Sequence, residues 1–207
     1  MIHPHTEIRF INEIVGHGVV ATKFIPKGTI TWVKDKLDRT FSPTQVEEFE
    51  DTYQDILEKY CYVDNKGSYV LCWDIARFVN HSFNSNCFST PYEFEIAVRD
   101  INPGEELTDD YGYLNIKEPF ACLPEPGSDR THVLPDDLLK YYPEWDEKLK
   151  EGFQFLNSVE QPLLKLLSPQ ILDKAKNISN KKMEMESILN CYFDRNKNVS
   201  NSSYLAK

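Results

Sequence analysis

The sequence lacks several features that would each assign it to a class of proteins. No stretch of its 207 residues approaches the roughly 18–20 consecutive apolar residues of a membrane span. Residues 1–9 contain no basic region followed by an apolar run, so we expect no secretory signal and an intracellular protein, cytoplasmic or nuclear. The five cysteines are odd in number and include no C-x-x-C pair, which argues against a disulfide framework and against a self-contained zinc cluster.

An excess of basic residues is also missing. The chain has 23 Lys and Arg against 33 Asp and Glu, which gives a net charge of −10. This balance argues against binding to a phosphate backbone, so we expect no direct contact with nucleic acid and favour a basic partner. The residues that are present, 41% hydrophobic and 13% aromatic, are typical of an ordered globular protein.

The order of apolar runs and turn signals divides the chain at about residue 117. Before this point, short apolar runs between turns predict strands, at 8–11, 19–21, 30–33, 68–72 and 94–98. Apolar residues recur at steps of three and four from Thr44 to Tyr60, which predicts one amphipathic helix with Thr44 and Glu47 as its capping box. Residues 1–117 are therefore predicted to be mainly β, with a helical insert at about 44–60.

The composition changes after Lys117. Prolines mark a loop, and apolar spacing then predicts helical segments over about 135–149, 159–167 and 183–192. The polar segment 196–203 is expected to be frayed. We therefore predict a second region, residues 118–207, consisting of a loop and a helical extension that forms the C-terminal third of the protein.

Three clusters of residues could carry chemistry. Gly16-His17-Gly18 lies between strand-like runs, where glycines allow a tight turn or the close approach of a ligand. The second cluster, Arg77-Phe78-Val79-Asn80-His81-Ser82, crowds polar side chains after a strand, and the third runs from Gly104 to Tyr113. Each also has an ordinary structural explanation: hairpin glycines, a hydrogen-bonded turn, and aromatic packing at a strand end.

Taken in this order and spacing, the three clusters resemble the motifs of the SET-domain protein methyltransferases. Residues 16–21 with Ile25-Pro26-Lys27-Gly28 are similar to the family's opening motif, residues 77–82 to its asparagine-histidine-serine motif, and residues 104–112 to its closing motif. The resemblance covers about residues 7–115. It implies a SET-domain fold, in which short twisted β-sheets surround a knot-like crossing of the segments around Asn80 and Tyr111.

The resemblance also implies a function and the residues that perform it. The function is that of a protein-lysine N-methyltransferase, which transfers a methyl group from S-adenosylmethionine to a basic protein such as a histone tail and releases S-adenosylhomocysteine. The cofactor-binding residues would be Gly16, His17, Gly18, Asn80 and His81, with His81 acting largely through its main chain. Tyr111 would be the catalytic tyrosine, and Tyr113 would line the channel that joins the cofactor to the substrate lysine.

The chemistry of this transfer needs a neutral amine, whereas free lysine, with a pKa near 10.4, is almost wholly protonated at neutral pH. A positive sulfonium nearby disfavours the ammonium form, and so does an aromatic channel that holds little water. We therefore expect no strong base in the site and assign none to His81. Tyr111 is expected to contribute geometry and polarity rather than covalent chemistry.

One departure from the family's pattern concerns the substrate channel. Many members have Phe or Tyr immediately before the Asp-Tyr pair, whereas this chain has Asp109. Two interpretations remain open: the Asp109 side chain turns outward, or it holds a substrate cation in the channel. We favour the first, because an unpaired buried carboxylate is costly.

A second departure concerns the segment that follows the domain. It keeps Cys122 alone where the family often has a cysteine cluster, and one thiol cannot hold a structural zinc ion, which needs four ligands. We expect no metal, and we expect aromatic residues to close the site instead, drawn from Phe120, Tyr141, Tyr142 and Trp145. The departures leave an alternative function, a catalytically weak SET-fold adaptor that binds a peptide or the cofactor.

Charged residues outside the motifs allow two further predictions. Arg77 could pair with Glu105 or Glu106 or could contact a ligand, and we favour the pair because arginine suits forked carboxylate pairing between crossing segments. The acidic residues of the predicted helix could recognise a basic substrate or form an ordinary solvated face.

Overall fold

The computed structural model describes residues 1–195, which form small β-sheets followed by helices. The strands are β1 Thr6–Asn12, β2 Gly16–Ala21, β3 Ile30–Val33, β4 Arg39–Phe41, β5 Cys61–Val63, β6 Tyr69–Leu71, β7 Asn80–His81, β8 Cys87–Ser89, β9 Phe94–Ala97, β10 Thr108–Asp109, β11 Phe120–Ala121 and β12 His132–Val133. The helices are α1 Pro43–Glu47, α2 Asp51–Tyr60, α3 Asp137–Phe155 and α4 Pro169–Ser179. Within residues 1–195, no helix combines the length and the apolar character needed to cross a membrane.

The strands pair into separate sheets of two or three strands. β1 and β2 form an antiparallel hairpin, and β4-β6-β5 and β3-β9-β8 are antiparallel three-stranded sheets. β11 pairs with β12, while β7 and β10 form a parallel pair of two residues each. The mainly β character predicted for the first part of the chain is confirmed, as are the helices in its C-terminal part.

The sheet β3-β9-β8 carries the largest hydrophobic core. Ile30 of β3 and Phe88 of β8 both lie opposite Ile96 of β9, and all three are buried. Leu149 and Phe153 of α3 belong to the same apolar cluster, which also includes residues of α4. The β region and the C-terminal helices therefore share this core, while the β region also has two smaller apolar clusters of its own.

The side chain of Gln161 completes the edge of this sheet. Its Nε2 donates hydrogen bonds to the carbonyls of Gly28 at 2.7 Å and Leu156 at 2.9 Å. Its Oε1 accepts one from the amide of Ile30 at 2.8 Å. A side chain from the C-terminal part thus satisfies main-chain groups at the beginning of β3, where no neighbouring strand does so.

The single helix predicted over 44–60 is wrong, because the structure has two helices there. The capping box is formed by Ser42 and Gln45 rather than by Thr44 and Glu47, with the Ser42 hydroxyl accepting from the Gln45 amide at 3.2 Å. Pro43 occupies the first turn, where its missing N–H costs nothing. The chain leaves the helix at residues 48–50, and the Gln54 side chain donates to the Phe49 carbonyl at 2.7 Å, so a side chain satisfies this group at the break.

The C-terminal helices also differ from the prediction in their bounds. α3 continues to Phe155, and of the predicted segment 159–167 only a 3₁₀ turn, Leu164–Leu166, is helical. Pro169 begins α4, because Ser168 caps the helix by accepting from the Ile171 amide at 3.3 Å. Of 183–192, only the 3₁₀ turn Ile188–Cys191 is helical. The prediction for 196–203 lies outside the described residues.

Candidate active site

The parallel pair β7–β10 brings the second and third motifs together. Thr108 lies opposite Asn80 and Asp109 opposite His81. The next residue but one, Tyr111, is tied back to β7 twice: its amide donates to His81 Nδ1 at 3.1 Å and its hydroxyl donates to the Val79 carbonyl at 2.6 Å. The meeting of these two distant segments, implied by the resemblance, is therefore present in the fold.

The first motif joins the same assembly through Gly18. Asn80 Nδ2 donates to the His17 carbonyl at 3.0 Å and to Glu106 Oε1 at 2.6 Å. A Cβ atom on Gly18 would lie 2.1 Å from Glu106 Oε1 and 2.8 Å from Asn80 Nδ2, so a larger residue would have to displace this pair. Gly16 is in the left-handed region at φ +82°, with open space around its Cα.

His81 lies in an aromatic cluster beside Tyr111. Its ring centroid is 4.4 Å from that of Phe83, 5.5 Å from that of Tyr111 and 5.9 Å from that of Phe120. Burial lowers the pKa of His81 to about 4, so the ring is neutral at pH 7. Because Nδ1 accepts from Tyr111, Nε2 carries the proton, yet this buried atom has no hydrogen-bond partner among residues 1–195.

A pocket of about 350 Å³ opens on the other side of Tyr111. Aromatic residues from several elements form much of its wall: Trp32, Tyr60, Tyr62, Tyr69, Tyr111 and Phe120. Burial raises the pKa of Tyr111, so its hydroxyl stays protonated at neutral pH. Such a pocket can hold a long, narrow side chain and exclude water from its end.

Tyr113 does not line this pocket. It is buried in the main core against Phe88 and Trp145, with ring centroids 5.5 Å and 5.6 Å away. Its hydroxyl donates to the Cys87 carbonyl at 3.3 Å and lies close enough to Asp109 for the two groups to influence each other's pKa. Tyr113 could act on the channel only through Asp109, and its predicted channel role stays a prediction.

Asp109 does line the pocket, and the outward orientation that we favoured is wrong. The residue is only 5% exposed, because its pairing with His81 fixes the strand with the side chain facing inward. Its Oδ1 is buried without a hydrogen-bond partner among the described residues. Burial and then the nearby Glu95 raise the pKa of Asp109 well above its ordinary value.

Glu95 of β9 lines the same pocket and was missed by sequence reasoning. Its carboxyl accepts from the Ser89 hydroxyl at 3.0 Å, and burial raises its pKa to about 7. The only sequence signal is the alternation of Phe94, Glu95 and Ile96, which predicts a polar side chain on the face opposite the core. The sequence does not reveal that this face borders a pocket instead of bulk solvent.

The predicted pairing of Arg77 with Glu105 or Glu106 is wrong. Glu105 instead forms an ion pair with Arg99, and Glu106 accepts from Asn80. Arg77 donates to the carbonyls of Cys72 and Trp73, both at 3.4 Å, and lies at the pocket wall.

Arg130 anchors the segment after residue 117, where the family often has a zinc-binding cysteine cluster. Arg130 forms ion pairs with Asp110 and with Asp137, the latter at 2.6 Å. Its guanidinium lies over the rings of Phe83 and Tyr141, at 4.3 Å and 4.4 Å from their centroids. Within residues 1–195 no group of three or more His, Cys, Asp or Glu could hold a metal ion, and the expectation of a metal-free protein stays a prediction.

These features define a β domain with a pocket beside the parallel pairing of two segments distant in the chain. The family model described as SET domain matches residues 16–112, so the chain contains a SET domain and is a SET-domain protein. No curated protein matches the chain. SET domains are generally protein-lysine methyltransferases that use S-adenosylmethionine.

The residues around His81 fit this cofactor. The protonated, partnerless Nε2 of His81 offers a hydrogen-bond donor to a polar ligand, and the open space at Gly16 lets a ligand approach the backbone of β2. Phe120, 36% exposed, provides an aromatic surface beside them. Gly16, His17, Gly18, Asn80 and His81 could thus hold the cofactor, and Gly18 also makes room for the Asn80–Glu106 pair.

Proposed function

We propose that this protein is an S-adenosylmethionine-dependent protein-lysine N-methyltransferase acting on a basic protein such as a histone tail. One observation carries the proposal: Tyr111 is fixed at the boundary between the His81 cluster and the aromatic pocket, with its hydroxyl bonded to the Val79 carbonyl at 2.6 Å. A group held beside His81 and a side chain inserted in the pocket would meet at this tyrosine. The knot-like crossing of the family would lie at β7–β10.

The chain's own residues would promote transfer by position and by exclusion of water. The bound cofactor supplies an electrophilic methyl group on a positively charged sulfur. The aromatic wall formed by Tyr60, Tyr62 and Phe120 keeps water from the amine, which disfavours its ammonium form. Alignment of two reactants in such a pocket can remove roughly 7–11 kcal/mol of the barrier. The neutral Tyr111 hydroxyl orients the groups without exchanging a proton.

A basic partner is supported by the charge around the pocket. The insert presents five exposed carboxylates that form no ion pair with another described residue: Glu47, Glu48, Glu50, Asp51 and Asp55. α2 leads directly into the pocket wall at Tyr60. These charges would attract a lysine-rich segment to the mouth of the pocket.

The test is incubation of the protein with S-adenosylmethionine carrying a labelled methyl group and a mixed protein extract. The Tyr111→Phe variant is expected to keep cofactor affinity within a few fold and to lose most turnover. The matched control is Tyr192→Phe, a partly buried tyrosine that does not line the pocket. Undiminished turnover of Tyr111→Phe would remove this residue from the mechanism, and cofactor binding without any transfer by the wild type would select the adaptor function.

A further inference from the structure

Two carboxyl groups lie in the wall of the aromatic pocket; the α-amino group of Met1 acts on Glu95 from nearby, and Arg77 lies in the same wall. Asp109 comes from β10 and Glu95 from β9, and both line the pocket beside Tyr111. Neither forms an ion pair with a Lys or Arg of residues 1–195. The arrangement is unlike that of the buried acids Asp110 and Asp137, which share Arg130, and that of Asp146, which accepts from the Ile188 amide at 2.8 Å.

The unsatisfied atom of this pair points to a ligand. Asp109 is 95% buried, and its Oδ1 has no hydrogen-bond partner in the described chain. A buried acceptor of this kind is costly to leave unpaired, and native proteins retain such atoms where a ligand satisfies them. The Tyr113 hydroxyl donates to the Cys87 carbonyl and also interacts with the Asp109 carboxyl, while Oδ1 stays without a partner in the described chain.

We propose that Asp109 and Glu95 bind the cationic nitrogen of the substrate amine at the end of the pocket and that this carboxyl pair accepts its proton. This inference rests on the proposed function for the identity of the amine as a lysine side chain. It extends that function, which by itself needs only an apolar pocket and no base.

The charge of the pair matches that of a single ammonium group. Two carboxyls close together repel each other when both are charged, which favours a pair that holds one proton and one negative charge. In the transfer, an N–H bond of the ammonium breaks and an O–H bond forms on the pair. The nitrogen keeps the electron pair of the broken bond as its lone pair, and the carboxyl pair then holds two protons. Glu95, which is only half-buried, returns the extra proton to water through the pocket mouth.

The surroundings favour this proton transfer because they reduce the usual difference in pKa between an amine and a carboxylic acid. Burial raises the pKa of both carboxyls, and the same water-poor pocket lowers that of the amine. The groups facing Asp109 are Asp110, Tyr113, Cys87 and Tyr111. Those near Glu95 are Ser89, Tyr62, Cys72 and the α-amino group of Met1, and Arg77 lies in the same pocket wall.

The first test measures binding of n-butylammonium, which has the length and charge of a lysine side chain, against neutral butan-1-ol. By calorimetry at pH 7, the full chain is expected to bind the cation at least tenfold more tightly than the alcohol. The double variant Asp109→Asn with Glu95→Gln, which keeps shape and removes both charges, is expected to lose this preference. The control is Glu144→Gln, an exposed charge on α3. Equal binding of the two probes by the wild type would overturn the proposal.

A second measurement needs no variant, in case the double variant does not fold. With ¹³C-labelled Asp and Glu side chains, n-butylammonium is expected to shift the carboxyl resonances that titrate near neutral pH, while butan-1-ol leaves them in place. An identical response to both probes would contradict a cation site.

Methyl-transfer assays then separate this inference from the function on which it rests. In the double variant the amine must arrive without its proton, so kcat/KM is expected to rise about tenfold per pH unit from pH 7 to 9, more steeply than in the wild type. Full turnover by the double variant at pH 7 would contradict the role of the carboxyl pair and would still support the methyltransferase function. Selective binding of n-butylammonium without any methyl transfer would support the cation site and contradict the methyltransferase function.

Discussion

The absence of a side chain at Gly18 makes room for the contact between the three motifs. Its Cα lies against the hydrogen-bonded Glu106 and Asn80, which join the closing motif to the middle one. The resemblance to the family predicted a cofactor-binding role for this glycine, because the motif that contains it has that role in the family. The structure shows a packing reason that no spacing rule contains, since it depends on two side chains more than sixty residues away along the chain.

The Gly18→Ala variant is expected to lose about 1–3 kcal/mol of unfolding free energy, because the added methyl group must displace the Asn80–Glu106 pair. Urea denaturation measures the loss. Gly152→Ala is the control, since its Cβ would meet only ordinary contacts, the closest at 3.4 Å from the Ala97 carbonyl. Equal stability of the two variants would mean that the pair yields without cost.

Buried His3 predicts a pH dependence of stability. The residue is 3% exposed, and burial, followed by the charge of His5, lowers its pKa to about 4. The unfolded chain takes up a proton near pH 6.5 and the folded chain does not, so this contribution is absent above pH 6.5 and destabilises increasingly as the pH falls toward 4.

Between pH 7 and pH 5 the wild type is expected to lose about 1–2 kcal/mol more unfolding free energy than the His3→Gln variant. Urea denaturation at the two pH values gives both differences. Replacement of the exposed His132 by Gln serves as the control. Parallel losses in wild type and His3→Gln would show that His3 titrates alike in both states.

At the scale of elements, the strands were easier to predict than the ties between them. The run Ile30–Val33 was predicted with the bounds of β3, because apolar strands between turns have a strong local signal. Arg130 was not predicted, since its partners Asp110 and Asp137 are brought together only by the packing of α3 on the domain. Glu95 was missed for a similar reason: alternation gives the face of a strand but not what that face borders.

Arg130 links the β11–β12 loop to Asp110, which caps the 3₁₀ turn of Tyr111, and to the first turn of α3. The Arg130→Met variant is expected to lose about 3–5 kcal/mol, because it leaves two buried carboxylates without their countercharge. Adding Asp110→Asn and Asp137→Asn should recover at least half of the loss. Removing the exposed Arg99 by Arg99→Met should cost less than about 1 kcal/mol. Similar losses for Arg130→Met and Arg99→Met in thermal denaturation would contradict this role.

At the scale of the whole molecule, the boundary predicted at residue 117 separates two composition regimes. The division into residues 1–117 and 118–207 is a proposal about sequence organisation, while the apolar cluster joins β3, β8 and β9 to α3 and α4 across it. Sequence composition could not show this, because apolar spacing reveals which helix face is buried but not the surface that it covers.

The shared core predicts a single unfolding transition for the full chain. Leu149→Ala in α3 and Ile96→Val in β9 should both lower the midpoint of that same transition. The expected losses of unfolding free energy are about 2–5 kcal/mol for Leu149→Ala and about 0.5–1.5 kcal/mol for Ile96→Val. Leu139→Ala, at a position 48% exposed on α3, should cost far less. Calorimetry that resolves two transitions, each sensitive to only one of the core variants, would show two independent units.

The dependence of the sheet on late-arriving helices has a consequence for biosynthesis. β3, β8 and β9 leave the ribosome well before α3 and α4, so the apolar face containing Ile30, Phe88 and Phe94 has no cover while translation continues. Gln161, which satisfies the amide of Ile30, arrives only after α3. The nascent chain is therefore exposed to aggregation until its last third has emerged, and chaperone occupancy on the ribosome should fall only after that point.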